Sequence, residues 1–288
     1  MRTPDEAPVV VGVNGHAADL AAVRLAAREA VARGRRLRVV HVFTWPSGPP
    51  HAKEQGYASA RRDAAGMVRA AVGIARRSTP GVRVTGHVLD GLAIRTLVGL
   101  SRAAEILVLG HDEVAGEPRL PIDSVLLQTV SRARCPVAVA RGPRPPSGPL
   151  LAAVDGSAAS LRALRHTAIE ADRRGVAVEV VHVVERPGPE AEAAGRRLLA
   201  EAIAAVPGLP AARSRLLVGD PALALVRASR HARMLIVGPR GAGGGALLGT
   251  VAQELLRRCA CPTVFVHGTG AGERLPPGTV HSAGALAR

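Results

Sequence analysis

A glycine-rich segment in the second half of the chain carries residues suited to binding chemistry. It begins Gly238-Pro239-Arg240-Gly241, continues through three further glycines, and ends at Gly249-Thr250. Glycines let backbone N–H groups come close to phosphate oxygens, and a helix that begins at such a loop adds the positive end of its dipole. The Thr250 hydroxyl would add a hydrogen-bond donor. No lysine follows the last glycine, so the segment predicts an anion cradle other than a Walker A loop.

A carboxylate and a hydroxyl form a second candidate group, in Val154-Asp155-Gly156-Ser157. This tetrapeptide follows a short apolar run, which is typical of a buried strand. Val183 and Val237 end two further runs of that kind. Ligands of parallel sheets bind beyond the carboxyl ends of the strands, so we expect the loops after Val154, Val183 and Val237 to meet there. In the alternative interpretation, the glycines only permit a tight turn and Asp155 caps a helix.

An internal repeat organises the elements that position these residues. Residues 9–46 align without a gap to residues 150–187, at an offset of about 140 residues. Val13-Asn14-Gly15 then matches Val154-Asp155-Gly156, and Cys135-Pro136-Val137 matches Cys261-Pro262-Thr263 nearer the carboxyl ends. Two copies of one domain are therefore predicted, since a chain of 288 residues has room for two.

Each copy alternates strand and helix patterns, which indicates parallel βαβ units. In the second copy we predict a helix N-cap at Ser157 and a helix start at Pro221. Its predicted strands are 150–154, 176–184, 213–218, 234–237 and 263–267, and its later helices include 191–206 and 247–258. The predicted fold class is α/β, with two tandem Rossmann-like doubly wound domains. Each would be a five-stranded parallel sheet with helices on both faces.

Composition sets the predicted boundaries of these domains. We expect a degenerate domain at 1–142, a Gly- and Pro-rich linker at 143–149, a domain with the glycine loop at 150–268, and a disordered tail at 269–288. No apolar stretch approaches the ~18 residues of a membrane span, and the first residues lack the pattern of a secretion signal. A cytoplasmic protein without membrane contact is therefore expected.

The motifs of the second copy resemble those of the universal stress protein family. Nucleotide-binding members resemble G-x2-G-x9-G-(S/T) at the glycine loop and V-D-G-S after the first strand. Val218-Gly219-Asp220-Pro221 and Cys261-Pro262 are also similar to family segments, and the likeness spans both copies. One departure is that seven residues, not nine, separate Gly241 from Gly249. The shorter loop leaves two alternatives for the ligand, a triphosphate or a smaller nucleotide.

The resemblance implies an ATP-binding stress-response protein that acts by binding rather than catalysis, with ADP or AMP as alternative ligands and Mg²⁺ as a companion ion. It places Asp155 near the ribose or adenine and the Val183 backbone at the adenine edge. It also implies an intrachain pseudo-dimer of the two copies, a further homodimer, and a regulatory protein partner. The implied site residues are Asp155, Gly156, Ser157, Val183, Val237, Gly238, Arg240, Gly241, Gly249, Thr250 and Val251.

The first copy departs from the family pattern. Asn14 replaces the aspartate, and Glu113 and Asp123 stand where the second and third glycines belong. Carboxylates there would repel a polyphosphate and block close approach of the backbone. We predict that this copy is structural or regulatory, and that its loop acids, which include Asp112, are solvated rather than cation ligands.

Two other functions are weighed against this one. A nucleotide-hydrolysing or adenylate-transferring enzyme would need a general base or metal motif, and only Asp155 lies beside the predicted loop. Nucleic-acid binding is suggested by the formal charge of +15, but the arginines are spread over all helices without a recognition motif, so it is not expected. The three cysteines form no C-x-x-C pair and predict small buried side chains rather than a zinc site.

Overall fold

Short strands alternate with helices through both copies, as the apolar periodicity predicts. The computed structural model describes residues 7–45, 53–111, 124–142, 147–209, 212–241 and 248–268. The first copy contains β1 (Val9–Gly12), α1 (Ala18–Ala32), β2 (Leu37–Phe43), α2 (Lys53–Ser78), β3 (Val84–Asp90), α3 (Ala93–Leu100), β4 (Ile106–Gly110), α4 (Val125–Arg132) and β5 (Val137–Ala140).

The second copy repeats this order. It contains β6 (Leu150–Ala153), α5 (Ala158–Arg174), β7 (Val178–Val184), α6 (Pro189–Ala204), β8 (Arg213–Val218), α7 (Pro221–Ala228), β9 (Met234–Val237), α8 (Thr250–Arg258) and β10 (Thr263–Phe265). The predicted bounds of β8 and β9 are those observed. The predicted last helix, 247–258, begins too early, because Gly249 is its N-cap, with extended backbone at φ −63° and ψ 159°. Leu247 lies outside the described residues.

The ten strands form one sheet in the order β3-β2-β1-β4-β5-β10-β9-β6-β7-β8. Within each copy all five strands are parallel, which confirms the predicted doubly wound sheets. In the second copy β6 lies between β7 and β9, so the strand order reverses beside β6. This reversal opens a crevice at the carboxyl ends of these strands.

The two copies meet through their last strands. β5 and β10 pair antiparallel, with Val139 opposite Thr263 and Val137 opposite Phe265. All seven residues of the two strands are buried, so the junction belongs to the core of the sheet. The described part of the linker, residues 147–149, leads directly into β6, and the predicted tail lies outside the described residues.

Local capping fixes both ends of α5 and the start of α7. Ser157 is the N-cap of α5 as predicted, and its hydroxyl accepts a hydrogen bond from the Ser160 N–H at 3.1 Å. Gly175 ends α5 in the left-handed region at φ 60°, which glycine adopts without strain. Asp220 caps α7 through the Leu223 N–H, and Pro221 is its first residue. These caps place the strand-to-helix loops at the crevice.

Val, Leu, Ile and Ala fill the core on both faces of the sheet, since the chain has few aromatic residues. All three cysteines are buried, and no disulfide joins them. Within the part of the chain that the structure describes, no helix is both long and apolar enough to cross a bilayer.

Candidate functional site

A cavity of about 820 Å³ lies at the carboxyl ends of β6, β7 and β9. Nine of the eleven predicted site residues line it: Asp155, Val183, Val237, Gly238, Arg240, Gly241, Gly249, Thr250 and Val251. Loops far apart in sequence therefore converge as the topology predicts. Whether these residues bind a nucleotide stays a prediction.

Gly156 and Ser157 do not line the cavity. Gly156 has φ +80°, so glycine serves the tight turn between β6 and α5. The Ser157 hydroxyl caps α5 and donates to Asp155 Oδ1 at 2.6 Å. Both residues shape the loop that presents Asp155, and their effect on a ligand would pass through that carboxylate.

Asp155 is held in one orientation at the cavity rim. Its Oδ1 accepts hydrogen bonds from the N–H and the hydroxyl of Ser157, at 3.0 and 2.6 Å. Its Oδ2 faces Gly241, where an added Cβ would lie 2.7 Å away. An exposed carboxylate fixed in this way can accept hydrogen bonds from the hydroxyl groups of a ligand.

The backbone of Val183 faces the space beyond the end of β6. The Val181 carbonyl accepts a hydrogen bond from the Val154 N–H at 2.9 Å, where β6 ends. Every second residue of a strand directs its backbone N–H and C=O to the same side, so Val183 directs these groups to the β6 side, as Val181 does. Because β6 has already ended at this level, the N–H and C=O of Val183 face the cavity. A donor and an acceptor so close together suit the edge of a heterocyclic base.

Gly238 is required by packing of the protein itself. A Cβ there would lie 2.9 Å from the Ala159 Cβ and 3.1 Å from its carbonyl carbon, where α5 crosses β9. Gly110 in the first copy has the same relationship to Ala18, at 2.9 Å. The shared glycine thus permits close approach of helix and strand, and its presence in both copies does not by itself indicate a ligand.

Gly249 has no such requirement among the described residues. A Cβ there meets only ordinary contacts, at 3.8 Å from the Arg240 Cα and the Gly241 nitrogen. Its N–H donates to the Pro239 carbonyl at 3.1 Å, so this amide closes the loop. The absence of a side chain at Gly249 therefore leaves room on the cavity side.

The N-terminus of α8 forms one wall of the cavity. Thr250, Val251 and Ala252, the first turn of the helix, all line it. Amides of a first turn have no partner within the helix, and together with the dipole they favour an anion. Arg240 is exposed at the same rim and adds positive charge. The predicted glycines 243–245 lie outside the described residues.

Sequence reasoning missed several residues that line the cavity. These are Ala153, Val154, Ser160, Val181, His182, Glu185, Pro221, Leu225, Leu248, Ala252 and Leu255. Ser160 and Glu185 each follow a predicted strand within a few residues, so the topology could have found them. The apolar residues carry no signal in the sequence that separates them from the rest of the core.

His182 also lines the cavity, but its ring is already bonded. Its Nδ1 lies 2.8 Å from the Val154 carbonyl oxygen, and His41 Nδ1 lies 2.9 Å from the Val13 carbonyl oxygen. These equal contacts tie the second strand of each copy to the loop after the first strand. Both histidines are therefore strand-end residues whose rings have backbone partners.

The first copy arranges its corresponding loop differently. The N–H groups of Asn14 and Gly15 donate to Asp19 Oδ2 at 2.9 and 2.7 Å. The loop carrying Asp112, Glu113 and Asp123 lies outside the described residues, so its predicted effect on ligands stays a prediction. Within the described ranges, no group of three His, Cys, Asp or Glu side chains is arranged to hold a metal ion.

Fold and site together define a tandem α/β protein with a cavity at the switch point of its second copy. The sequence matches the universal stress protein family twice, over residues 7–141 and 147–267. A universal stress protein of Mycobacterium tuberculosis is 34% identical over 287 residues, covering 89% of this chain and 95% of the relative. One from Mycolicibacterium smegmatis is 30% identical, covering 92% and 99% respectively.

The architecture also matches a solved structure. The crystal structure of a universal stress protein from Archaeoglobus fulgidus superposes with a TM-score of 0.71 at 17% identity, covering 90% of this chain and 97% of that chain. At that identity the likeness concerns the fold alone. On the two matches along its sequence, the chain belongs to the universal stress protein family.

Proposed function

We propose that the second copy binds an adenine nucleotide, ATP or else ADP or AMP, and that the chain acts in the stress response through nucleotide-dependent binding of partners. The observation that carries this proposal is the cavity at the switch point. Its volume of about 820 Å³ is within the ~300–1,000 Å³ typical of small-molecule sites.

The proposal assigns one end of the cavity to the phosphates. The first-turn amides of α8, the Thr250 hydroxyl and Arg240 supply donors and positive charge there. Gly249 leaves room for a phosphate beside the helix. Mg²⁺ would be held mainly by phosphate oxygens and water, as this ion prefers.

The other end of the cavity suits a nucleoside. Asp155 would accept hydrogen bonds from ribose hydroxyl groups, and the backbone of Val183 would pair with the adenine edge. Val181, Val237 and Leu225 supply apolar contacts for a base. An apolar wall flanked by hydrogen-bonding groups suits a base and its sugar.

Regulation by binding is proposed in preference to catalysis. A general base must lie near the reacting phosphate. In the cavity lining, the His182 Nδ1 is engaged by a backbone carbonyl, and Asp155 is engaged by Ser157 at the nucleoside end. Glu185, the other carboxylate of the lining, directly follows β7, the strand whose backbone is assigned to the adenine edge. In this proposal the copies act as an intrachain pseudo-dimer, which the β5–β10 pairing supports, and a regulatory protein or a second chain reads the liganded state.

The experiment is calorimetric titration of the full chain with ATP, ADP and AMP, with Gly249→Glu as the site variant. Gly99→Glu is the matched control, since it makes the same change at an exposed helical glycine with open space around it. The proposal expects saturable binding that Gly249→Glu abolishes and Gly99→Glu retains. Absence of binding by all three nucleotides, or equal binding by both variants, contradicts it. ATP turnover well above that of Gly249→Glu would favour the enzyme alternative.

A further inference from the structure

Arg141 reaches from the first copy to a helix of the second. It follows β5 directly, and its Nη2 donates to the carbonyl oxygens of Leu255, at 3.3 Å, and of Leu256. These carbonyls belong to the last turn of α8. The Leu255 carbonyl also accepts from the Cys259 N–H at 3.1 Å, whereas Leu256 is among the last carbonyls, which have no partner within the helix. The guanidinium thus satisfies acceptors at the negative end of the α8 dipole.

Helix α8 connects this contact to the cavity. It has nine residues, about 13 Å of helix, with Thr250 at the anion-binding wall and Arg258 at the other end. Leu255 belongs to both regions, because its carbonyl accepts from Arg141 and the residue lines the cavity. Leu255 and Leu256 are fully buried, so this turn is tightly packed in the core. Because packed interiors transmit displacements, a shift of this turn would move the rest of the short helix with it.

A counterpart contact exists on the other side of the pseudo-twofold axis. His267, which corresponds to Arg141 in the repeat, places its Nε2 2.5 Å from the carbonyl oxygen of Val130 in α4. The two contacts differ in charge. Burial lowers the pKa of His267, so its ring is neutral at physiological pH, whereas Arg141 stays cationic. The charged contact therefore acts on the helix that borders the cavity.

We propose that Arg141 of the first copy is a positioning residue for the anion-binding end of the second copy's cavity, acting through the carbonyl end of α8. This inference rests on the proposed nucleotide function. It gives the first copy a role in ligand affinity although it contributes no residue to the described cavity lining. Loss of the contact would let α8 shift and misplace its first-turn amides.

The test compares Arg141→Met, which keeps a long side chain but removes the donors, with Arg141→Lys, which keeps the charge. His267→Met is the matched control, because it removes the counterpart contact to α4. We expect Arg141→Met to weaken ATP binding about tenfold, Arg141→Lys to restore part of the affinity, and His267→Met to stay within about twofold of wild type. Amide hydrogen exchange in residues 250–258 should quicken in Arg141→Met even without nucleotide.

Two results would overturn the inference. One is wild-type ATP affinity and wild-type exchange of α8 in Arg141→Met. The other is an equal loss of affinity in His267→Met, which would indicate a general weakening of the junction. If the wild-type chain binds no nucleotide, the proposed function fails, while exchange of α8 in the unliganded variants still decides whether Arg141 positions the helix.

Discussion

Arg174 Nη2 lies 2.6 Å from each carboxylate oxygen of Glu29, and this ion pair joins α5 of the second copy to α1 of the first. The corresponding residues of the repeat form the reciprocal ion pair, in which Arg33 Nη2 lies 2.8 Å from Glu170 Oε1. Each glutamate also pairs with the arginine four residues on in its own helix. We call Glu29, Arg33, Glu170 and Arg174 the charge quartet.

Removing one charge from the charge quartet should destabilise the protein strongly. The Glu29 side chain is 5% exposed and that of Arg174 is 13% exposed. Glu29→Gln therefore leaves the largely buried Arg174 guanidinium without the negative charge of its partner. We expect the free energy of unfolding, measured by denaturant titration, to fall by about 3 kcal/mol. Glu192→Gln, in an exposed pair with Arg196, should cost below ~1 kcal/mol. Equal effects of the two changes would show that burial does not matter here.

Acid should destabilise the junction through His166, which lies beside the charge quartet. Burial, with Arg33 and Arg173 nearby, lowers the pKa of the His166 ring to about 3, from 6.5 in the unfolded chain. Between these values the unfolded chain binds a proton that the folded chain does not. The free energy of unfolding therefore keeps its full value well above pH 6.5. As the pH decreases below that value, protonation of His166 in the unfolded chain lowers it by up to about 1.4 kcal/mol per pH unit.

The repeat provides the control for this pH dependence. The first copy has buried Leu25 at the position of His166, so His166→Leu should flatten the loss of unfolding free energy between pH 7 and pH 5. Glu29 acts at lower pH: burial opposes its charge, but Arg174 and Arg33 outweigh burial and lower the pKa of this carboxyl. Its contribution is lost only below about pH 4.5. An unchanged slope in His166→Leu would contradict the assignment to His166.

Two glycines of the cavity should respond in opposite ways to alanine. Gly238→Ala forces a Cβ against Ala159 at 2.9 Å, and overpacking of this kind costs about 1–3 kcal/mol of unfolding free energy. Gly249→Ala meets only contacts at 3.8 Å and should cost at most about 1 kcal/mol, from the poorer N-cap of α8, while ATP affinity falls. Thermal unfolding together with calorimetric titration separates the two effects. A stable Gly238→Ala variant would refute the packing role.

Asp155→Ala should weaken ATP binding at least about tenfold, because it removes an oriented acceptor for ribose hydroxyl groups. Asn14→Ala, at the corresponding position of the first copy, is the control and should bind as wild type does. The loss of affinity caused by Asp155→Ala should be smaller for deoxyadenosine nucleotides than for ATP. If Asn14→Ala lost affinity equally, the first copy would also take part in binding.

Much of the fold could be predicted because local and tertiary signals agree. The strands β8 and β9 are bounded by turn residues, Pro221 begins α7, and the buried strands β1, β6 and β9 are short apolar runs. The predicted start of α8 is too early because Leu248 continues an apolar helical pattern in the sequence, whereas the backbone at Gly249 is extended. The glycine loop is evident from residue types and spacing, but only the structure separates Gly238, needed for packing, from Gly249, which is not.

The charge quartet was not predicted, although its signal is in the sequence. Glu29 and Arg33 recur as Glu170 and Arg174 at the offset of the repeat. Charged residues on amphipathic helices are typically solvated. These four become buried only because the antiparallel pairing of β5 with β10 brings the two copies together. The contact of Arg141 with α8 carries no sequence signal either, since its partners are more than a hundred residues away.

Because β5 and β10 belong to one polypeptide, the association of the two halves does not depend on protein concentration. Separate subunits would dissociate on dilution and exchange with other subunits, whereas a tether keeps each half at the high effective concentration of its neighbour. The stoichiometry is fixed at one to one. Each half is therefore free to acquire substitutions that its twin lacks, such as Asp155 opposite Asn14, without producing mixed assemblies.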